Sequence, residues 1–199
     1  LRSQLSGGAG GLALGTAGYA LIGNGASLAT YQGFLQTGTG AVTRTWNAKG
    51  KETFSVTDFG SVGNAAGDST VIQKAYTAAA AVGYGAVYWP PGIYYIDAAI
   101  SVNPGTSGQI VTYGAGSQST LITATPSYNG RIFDLVTGRN RISSMGISGA
   151  GMPGLVTPTV MPGSVGTDSH AIHIRAGCVD VCLDHLIVYG GYYGVLSEA

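Results

Sequence analysis

The sequence has few charged residues, few cysteines and no long apolar run, and each shortage excludes a class of protein. Basic and acidic residues number nine each, so only 9% of the 199 residues are charged and the formal net charge is zero. A nucleic-acid-binding domain needs a basic patch, and we therefore expect no nucleic-acid partner. No apolar run reaches the roughly 18 positions of a membrane-spanning helix, and we expect no membrane insertion. The start, LRSQLSGG, also lacks the pattern of a signal peptide.

The two cysteines, Cys178 and Cys182, lie four positions apart in a segment that we interpret as extended chain. At about 3.3 Å per residue their separation is roughly 13 Å, which exceeds the span of a disulfide. We therefore predict two free thiols. No second pair of ligands accompanies them, and the sequence indicates neither a metal site nor a cofactor.

The abundant residues are those of short strands and tight turns. Thirty-four glycines and twelve tyrosines accompany many alanines, serines, threonines and valines, which is typical of a mainly β protein. Residues 1–53 show no clear apolar period, and we interpret them as a stalk or connector segment. The pattern becomes regular in residues 54–199, which we interpret as the folded body. Both ends of the sequence look cut.

One amphipathic helix is predicted near the start of this body. It follows a short half-buried strand, FSVTDFG, and Asp68 or Thr70 can cap its first turn. Thr70 and Gln73 have the spacing of a capping box, and Gly83 ends the helix. Its apolar residues recur at helical spacing and are Val71, Ile72, Ala75, Ala79 and Val82.

A repeat of strand-like strings follows the helix. IVTYG, IFDLV, AIHIR and GVLSE begin at positions 110, 132, 171 and 194, with steps of 22, 39 and 23 residues. A second series, TLITA, RISSMGIS and DVCLDHLIV, has steps of 21 and 39. Both series lengthen over the same interval, which indicates one insertion of about 17 residues between Gly149 and Ser169. A period near 22 favours a β-solenoid; a β-sandwich would not explain the matched spacing.

The strands of such a solenoid place alternate side chains inside and outside the coil. The pattern predicts that Ile172 and Ile174 point inward, while His173 and Arg175 point outward. In the last strand we expect Val179, Val181 and Leu183 inside, and Asp180, Cys182 and Asp184 outside.

The segment that contains SVTDFGSVG, the Asp-Ser-Thr helix start, the alanine-rich helix and GAVYWPPGIYYI resembles the first module of the pectate-lyase-like β-helix family of phage tailspikes and polysaccharide depolymerases. This resemblance implies a single-stranded right-handed parallel β-helix with an amino-terminal capping helix. It also implies a homotrimer in the virion tail, extracellular action on bacterial surface polysaccharide, and contact of the stalk with other tail or baseplate proteins. Relatives commonly carry Gly-Asp-Gly and paired aspartates where this chain has GNAAGDST, so Asp68 is expected mainly as a helix cap.

Candidate site residues are few. Glycoside hydrolysis usually needs two carboxylates, which neighbouring coils of a β-helix can supply. The outward acids are Asp134, Asp168, Asp180, Asp184 and Glu198. Asp168, His170 and His173 are the densest set of possible ligands or bases, although no fourth ligand is present. Tyrosines can stack on sugar rings and basic residues can contact them, which gives five candidates for carbohydrate binding: Tyr189, Tyr192, Tyr193, His173 and Arg175.

Two functions remain open from the sequence. In the first, the protein depolymerises host polysaccharide, by hydrolysis or by a lyase reaction, with its catalytic residues downstream of this chain. In the second, it is a structural stalk or adhesion module of the virion without chemistry.

Overall fold

A computed structural model describes residues 39–42, 44–60, 63, 65–148, 169–189 and 193–198. The chain divides into two compact units, Leu1–Lys49 and Gly50–Ala199. Most of the first unit, and with it most of the predicted stalk, lies outside the described residues. In its described part Arg44 donates to the Ala48 carbonyl at 3.2 Å, and the Ala48 amide donates to Thr45 Oγ1 at 3.0 Å. The boundary after residue 53 stays a prediction.

The first elements are helix α1 (Trp46–Gly50), strand β1 (Phe54–Ser55), a 3-10 helix (Val56–Phe59) and helix α2 (Ser69–Ala81). The predicted helix is therefore present. It buries one stripe of side chains, including Ile72, Ala75 and Ala79, as the apolar spacing indicates. Gly83, whose φ is 78°, follows its end. Among the described residues no helix is both long and apolar enough to cross a membrane.

Ten further strands follow α2, and every described pairing between strands is parallel. They are β2 (Tyr84–Trp89), β3 (Gly92–Ile96), β4 (Ile100–Val102), β5 (Gln109–Gly114), β6 (Thr120–Ala124), β7 (Phe133–Leu135), β8 (Arg139–Ser148), β9 (His170–Ile174), β10 (Cys182–Tyr189) and β11 (Tyr193–Ser197).

The strands stack as successive coils. They form a seven-stranded sheet, which we divide at the bends of β8 and β10 into a first and a second sheet, and a four-stranded sheet, which we call the third. The first sheet contains β1, β2, β5 and the first halves of β8 and β10. The second contains β3, β6 and the second halves of β8 and β10, and the third contains β4, β7, β9 and β11. Ser144 in β8 and His185 in β10 have positive φ at equivalent positions, where each strand passes from the first sheet to the second. This arrangement is a parallel β-helix-like fold, and its all-parallel pairing is not that of an antiparallel β-sandwich.

The coils are less regular than the predicted 22-residue period. In the first sheet the register passes from Val87 to Thr112, Ile142 and Leu183, in steps of 25, 30 and 41 residues. The string IVTYG forms β5 of the first sheet, whereas the other three strings of its series lie in the third, so its place in that series was wrong. The repeat misplaced this strand because the coils differ in length, so strands of different sheets can be separated by similar numbers of residues. The predicted insertion lies mainly outside the described residues.

An aromatic cluster fixes helix α2 to the coils. The rings of Tyr76, Trp89 and Phe133 lie 5.8 to 6.5 Å apart, and all three residues are fully buried. Trp89 Nε1 donates to the Tyr76 hydroxyl at 3.1 Å, and that hydroxyl lies 3.0 Å from Thr112 Oγ1. Burial raises the pKa of Tyr76, so its hydroxyl is a neutral partner in this network.

Helix α2 also caps the open edge of the first coil, as the family resemblance implied. The Gln73 side chain donates to the Ser101 carbonyl at 3.0 Å and accepts from the Ser101 amide at 2.8 Å, so it pairs with β4 as a strand would. Ser69 Oγ accepts from the amides of Asp97 and Ala98 at 3.0 Å. An unpaired strand edge invites association with other chains, and these side chains cover it.

Asp68 and Gln73 differ from their predicted roles at the helix start. Asp68 occupies the N-cap position, but its carboxylate makes no hydrogen bond to the helix. It accepts instead from the Gly63 amide at 2.7 Å and the Tyr95 amide at 3.4 Å. Gln73 bonds to β4 rather than closing a capping box. Both side chains satisfy backbone groups of the first coil, which the local sequence could not reveal.

Candidate functional site

The structure brings together two of the five residues predicted to bind carbohydrate. His173 lies in β9, and Arg175 follows that strand directly. Tyr189 ends β10, is 42% exposed, and pairs with Ser148 in the second sheet, away from the other two. Tyr192 lies outside the described residues, as does the side chain of Tyr193, whose backbone begins β11.

His173 and Arg175 belong to a group of five ionisable side chains on the third sheet, which we call the third-sheet cluster. Its members are Arg131, Asp134, His173, Arg175 and Glu198. Asp134 in β7 stands in register with His173 in β9, so the two side chains project from neighbouring coils on the side away from the core. Arg175 Nε donates to Asp134 Oδ1 at 2.9 Å, and Arg175 Nη2 donates to Asp134 Oδ2. This paired geometry is the strong form of an arginine–carboxylate contact.

His173 lies between the two carboxylates of the cluster. Its Nδ1 lies 3.1 Å from Asp134 Oδ1 and 2.6 Å from Arg131 Nη1, and its Nε2 lies 2.9 Å from Glu198 Oε1. An arginine only donates, so contact with Arg131 requires a free lone pair on Nδ1 and places the ring proton on Nε2, toward Glu198. With that neutral ring, the two arginines and the two carboxylates balance in charge.

Burial in this cluster corrects two sequence predictions. His173 was expected on the outer surface but is 3% exposed, and Asp134, expected as an outward acid, is 6% exposed. Both side chains do leave the core side of their strands. They are nevertheless covered, because Arg131, Arg175 and Glu198 close over them.

The environment of Asp134 decides what this carboxylate can do. Burial raises its pKa, but the hydrogen bonds from Arg175 and Arg131 outweigh burial and hold the pKa below its ordinary value of 3.8. A general acid must carry a proton near the working pH, and Asp134 does not. At neutral pH Asp134 is an anion that pairs with Arg175 and contacts His173 of the next coil.

The possible metal or acid–base set of Asp168, His170 and His173 remains a hypothesis, since Asp168 lies outside the described residues. The rings of His170 and His173 lie 5.9 Å apart, and both residues are buried. In the described part of the chain no three or more histidine, cysteine or acidic side chains are arranged to hold a metal ion.

The two remaining outward acids in the described residues are held by arginines that sequence reasoning did not single out. Arg139 Nε donates to Asp180 Oδ2 at 3.0 Å, and Arg141 Nη2 donates to Asp184 Oδ2 at 2.7 Å. Asp180 is a solvated surface acid, with a side chain 75% exposed. These arginine–aspartate pairs can be recognised only once the 41-residue register between β8 and β10 is known.

At the start of β10 the predicted alternation holds for Val181, just before the strand, and for Leu183, since both are partly buried against the core. Val179 was expected inside but is 49% exposed, because it lies in the turn before the strand. Cys178 and Cys182 are free thiols, as predicted.

A family model described as "Rhamnogalacturonase A/epimerase, pectate lyase-like" matches residues 53–194, which include the capping helix, strands β1 to β10 and the first two residues of β11. The chain belongs to this pectate lyase-like family. The resemblance read from the sequence is thereby confirmed. No protein in the curated set matches the chain.

A solved structure resembles this pectate lyase-like chain. It is described as "Geobacillus virus E2 - ORF18", with a TM-score of 0.54 and 21% sequence identity. The similarity covers 71% of this chain and 26% of the viral one, so this chain spans about a quarter of that protein. At this identity the two proteins share a fold.

Proposed function

We propose that this protein is a phage tailspike-type protein that recognises and depolymerises host surface polysaccharide. The observation that carries the proposal is the family match over residues 53–194, which contain the cap and strands β1 to β10. The viral origin of the structural neighbour supports the phage assignment. We further propose a right-handed, single-stranded β-helix, a homotrimer located in the virion tail, and contact with other tail proteins through residues 1–53.

The third-sheet cluster is proposed to hold the coils together rather than to cleave a sugar. Hydrolysis needs a protonated acid beside a base or nucleophile, and the lowered pKa of Asp134 does not suit it to the acid's role. Glu198 is 49% exposed, but its Oε1 is engaged by His173. Because Asp134 is held in ion pairs and Glu198 accepts a hydrogen bond from His173, a non-catalytic adhesion module is the second candidate function.

The test is incubation of the full-length protein with a panel of bacterial capsular and O-antigen polysaccharides. Release of reducing ends without the ultraviolet absorbance of an unsaturated uronate indicates a hydrolase, and release with that absorbance indicates a lyase. We expect release to persist in Glu198→Gln. Binding without release favours the adhesion module, whereas neither binding nor release contradicts both functions.

A further inference from the structure

The outer surface of the first sheet combines tyrosines with arginine–aspartate pairs. Val87 in β2, Ile110 in β5 and Ile142 in β8 are buried in the core. Because side chains alternate along a strand, the residues next to each of them point outward. We call this outer surface the tyrosine–arginine face. Its members are Tyr84, Tyr88, Tyr113, Arg139, Arg141, Asp180 and Asp184.

One half of this face is aromatic. Tyr88 and Tyr113 are in register on β2 and β5, with ring centroids 5.1 Å apart and planes inclined by 33°. Tyr84, at the start of β2, is 72% exposed, which is the largest exposed fraction among the large apolar side chains of the described coils. Such rings offer apolar surface to the C–H groups of a sugar and hydroxyls to its substituents.

The other half of the face is polar but balanced in charge. Arg139 pairs with Asp180, and Arg141 pairs with Asp184, on the coils next to the tyrosines. The two arginine side chains are each 49% exposed, so their guanidinium groups remain accessible to a ligand. A sugar hydroxyl both donates and accepts hydrogen bonds. Each arginine–aspartate pair offers it a donor, the guanidinium group, and an acceptor, the carboxylate.

We propose that the tyrosine–arginine face binds a neutral, hydroxyl-rich glycan segment, a proposal that rests on the proposed function. The ligand is neutral because the two arginines and two aspartates cancel, which leaves no excess charge to attract a polyanion or a polycation. Four strands at spacings of about 4.8 Å give a platform roughly 14 Å wide, enough for a short run of sugar residues.

A second copy of the chain fits this face less well than a glycan. Homodimer interfaces bury mainly apolar surface and are depleted in charge at their centre. Here two half-exposed ion pairs occupy half of the face. Their desolvation would oppose association, whereas a sugar can hydrogen-bond to both members of each pair.

The test measures binding of size-fractionated neutral oligosaccharides, prepared from surface polysaccharides, and of uronate-containing oligosaccharides of equal length. Tyr84→Ser and Arg141→Gln should each weaken binding of the neutral series roughly tenfold, about the effect of one stacking or charged hydrogen-bonding contact. Ile93→Ser and Lys74→Gln are the matched controls, since both residues are exposed and lie outside the face. Thermal unfolding verifies that each variant is folded, and hydroxyl-radical footprinting of the unmodified chain should show Tyr88 and Tyr113 protected by the ligand.

Each other outcome is informative. Neutral binding that survives both substitutions, without tyrosine protection, overturns this proposal and leaves the proposed function standing. Preference for the uronate series overturns the neutral assignment. Self-association that Tyr84→Ser abolishes, without glycan binding, makes the face an interface between copies. If no oligosaccharide binds and no tyrosine is protected, this proposal is overturned, while binding to intact polysaccharide separately decides the proposed function.

Discussion

Replacing Asp134 by asparagine should destabilise the coils substantially, since the third-sheet cluster depends on this carboxylate. The substitution keeps the side-chain volume and removes the charge that Arg131, Arg175 and His173 contact. Breaking a buried ion pair costs about 3–5 kcal/mol. The side chains of Arg131 and Arg175 are 20% and 45% exposed, so they can partly rehydrate. We therefore expect a loss of roughly 2–4 kcal/mol in the free energy of unfolding.

The assay is chemical denaturation of the unmodified chain and of Asp134→Asn, supported by thermal melting. A loss of this size lowers Tm by roughly 5–15 °C in a domain of this length. Asp180→Asn is the matched control, because its side chain is 75% exposed and pairs with a half-exposed Arg139. Asp180 has a φ of 53°, which asparagine tolerates well, so the control should change stability by about 0.5 kcal/mol or less. Equal losses in both variants would refute the reasoning.

Three further predictions concern acid, the capping helix and the thiols. The folded-state pKa of Asp134 is depressed below 3.8, so its ionised form stabilises the protein at neutral pH. This contribution is lost as the pH falls below about 4. Acid titration followed by circular dichroism should therefore show a shallower loss of stability in Asp134→Asn than in the unmodified chain. Gln73→Met removes both hydrogen bonds to β4 and should lower the free energy of unfolding by roughly 1–3 kcal/mol, as measured by chemical denaturation. The control, Lys74→Met at an exposed position of the same helix, should lower it by about 0.5 kcal/mol or less. Similar losses in both variants would contradict the capping role. Cys182 is exposed and should react with a thiol reagent in the folded protein. Burial raises the pKa of the Cys178 thiol, so Cys178 should react at least tenfold more slowly as long as the protein is folded. Equal reaction rates would contradict the partly buried position of Cys178.

Local features of the fold were predictable because they depend on neighbouring residues. The apolar spacing from Ile72 to Ala79 predicts α2, and Gly83 marks its end. Alternation predicts the buried sides of β9 and β10 in the same way, through Ile172, Val181 and Leu183. These signals extend over one or two turns of chain, and the sequence displays them directly.

The register between coils could not be read from the sequence, because coils of 25, 30 and 41 residues have no common period. The error over IVTYG has this cause. The burial of His173 depends in turn on that register, since Asp134 comes from the preceding coil and Glu198 from the following one. Since His173 lies between Ile172 and Ile174, the local alternation predicts an outward, exposed side chain. Only the assembled coils show the charges that cover it.

The most direct test of the central claim is adsorption of the protein to encapsulated bacteria, compared with isogenic strains that lack the capsule or the O-antigen. The account predicts saturable adsorption to at least one encapsulated strain and its loss when the surface polysaccharide is absent. Equal adsorption to both members of every pair, or adsorption to none, would contradict recognition of a host polysaccharide by this fold.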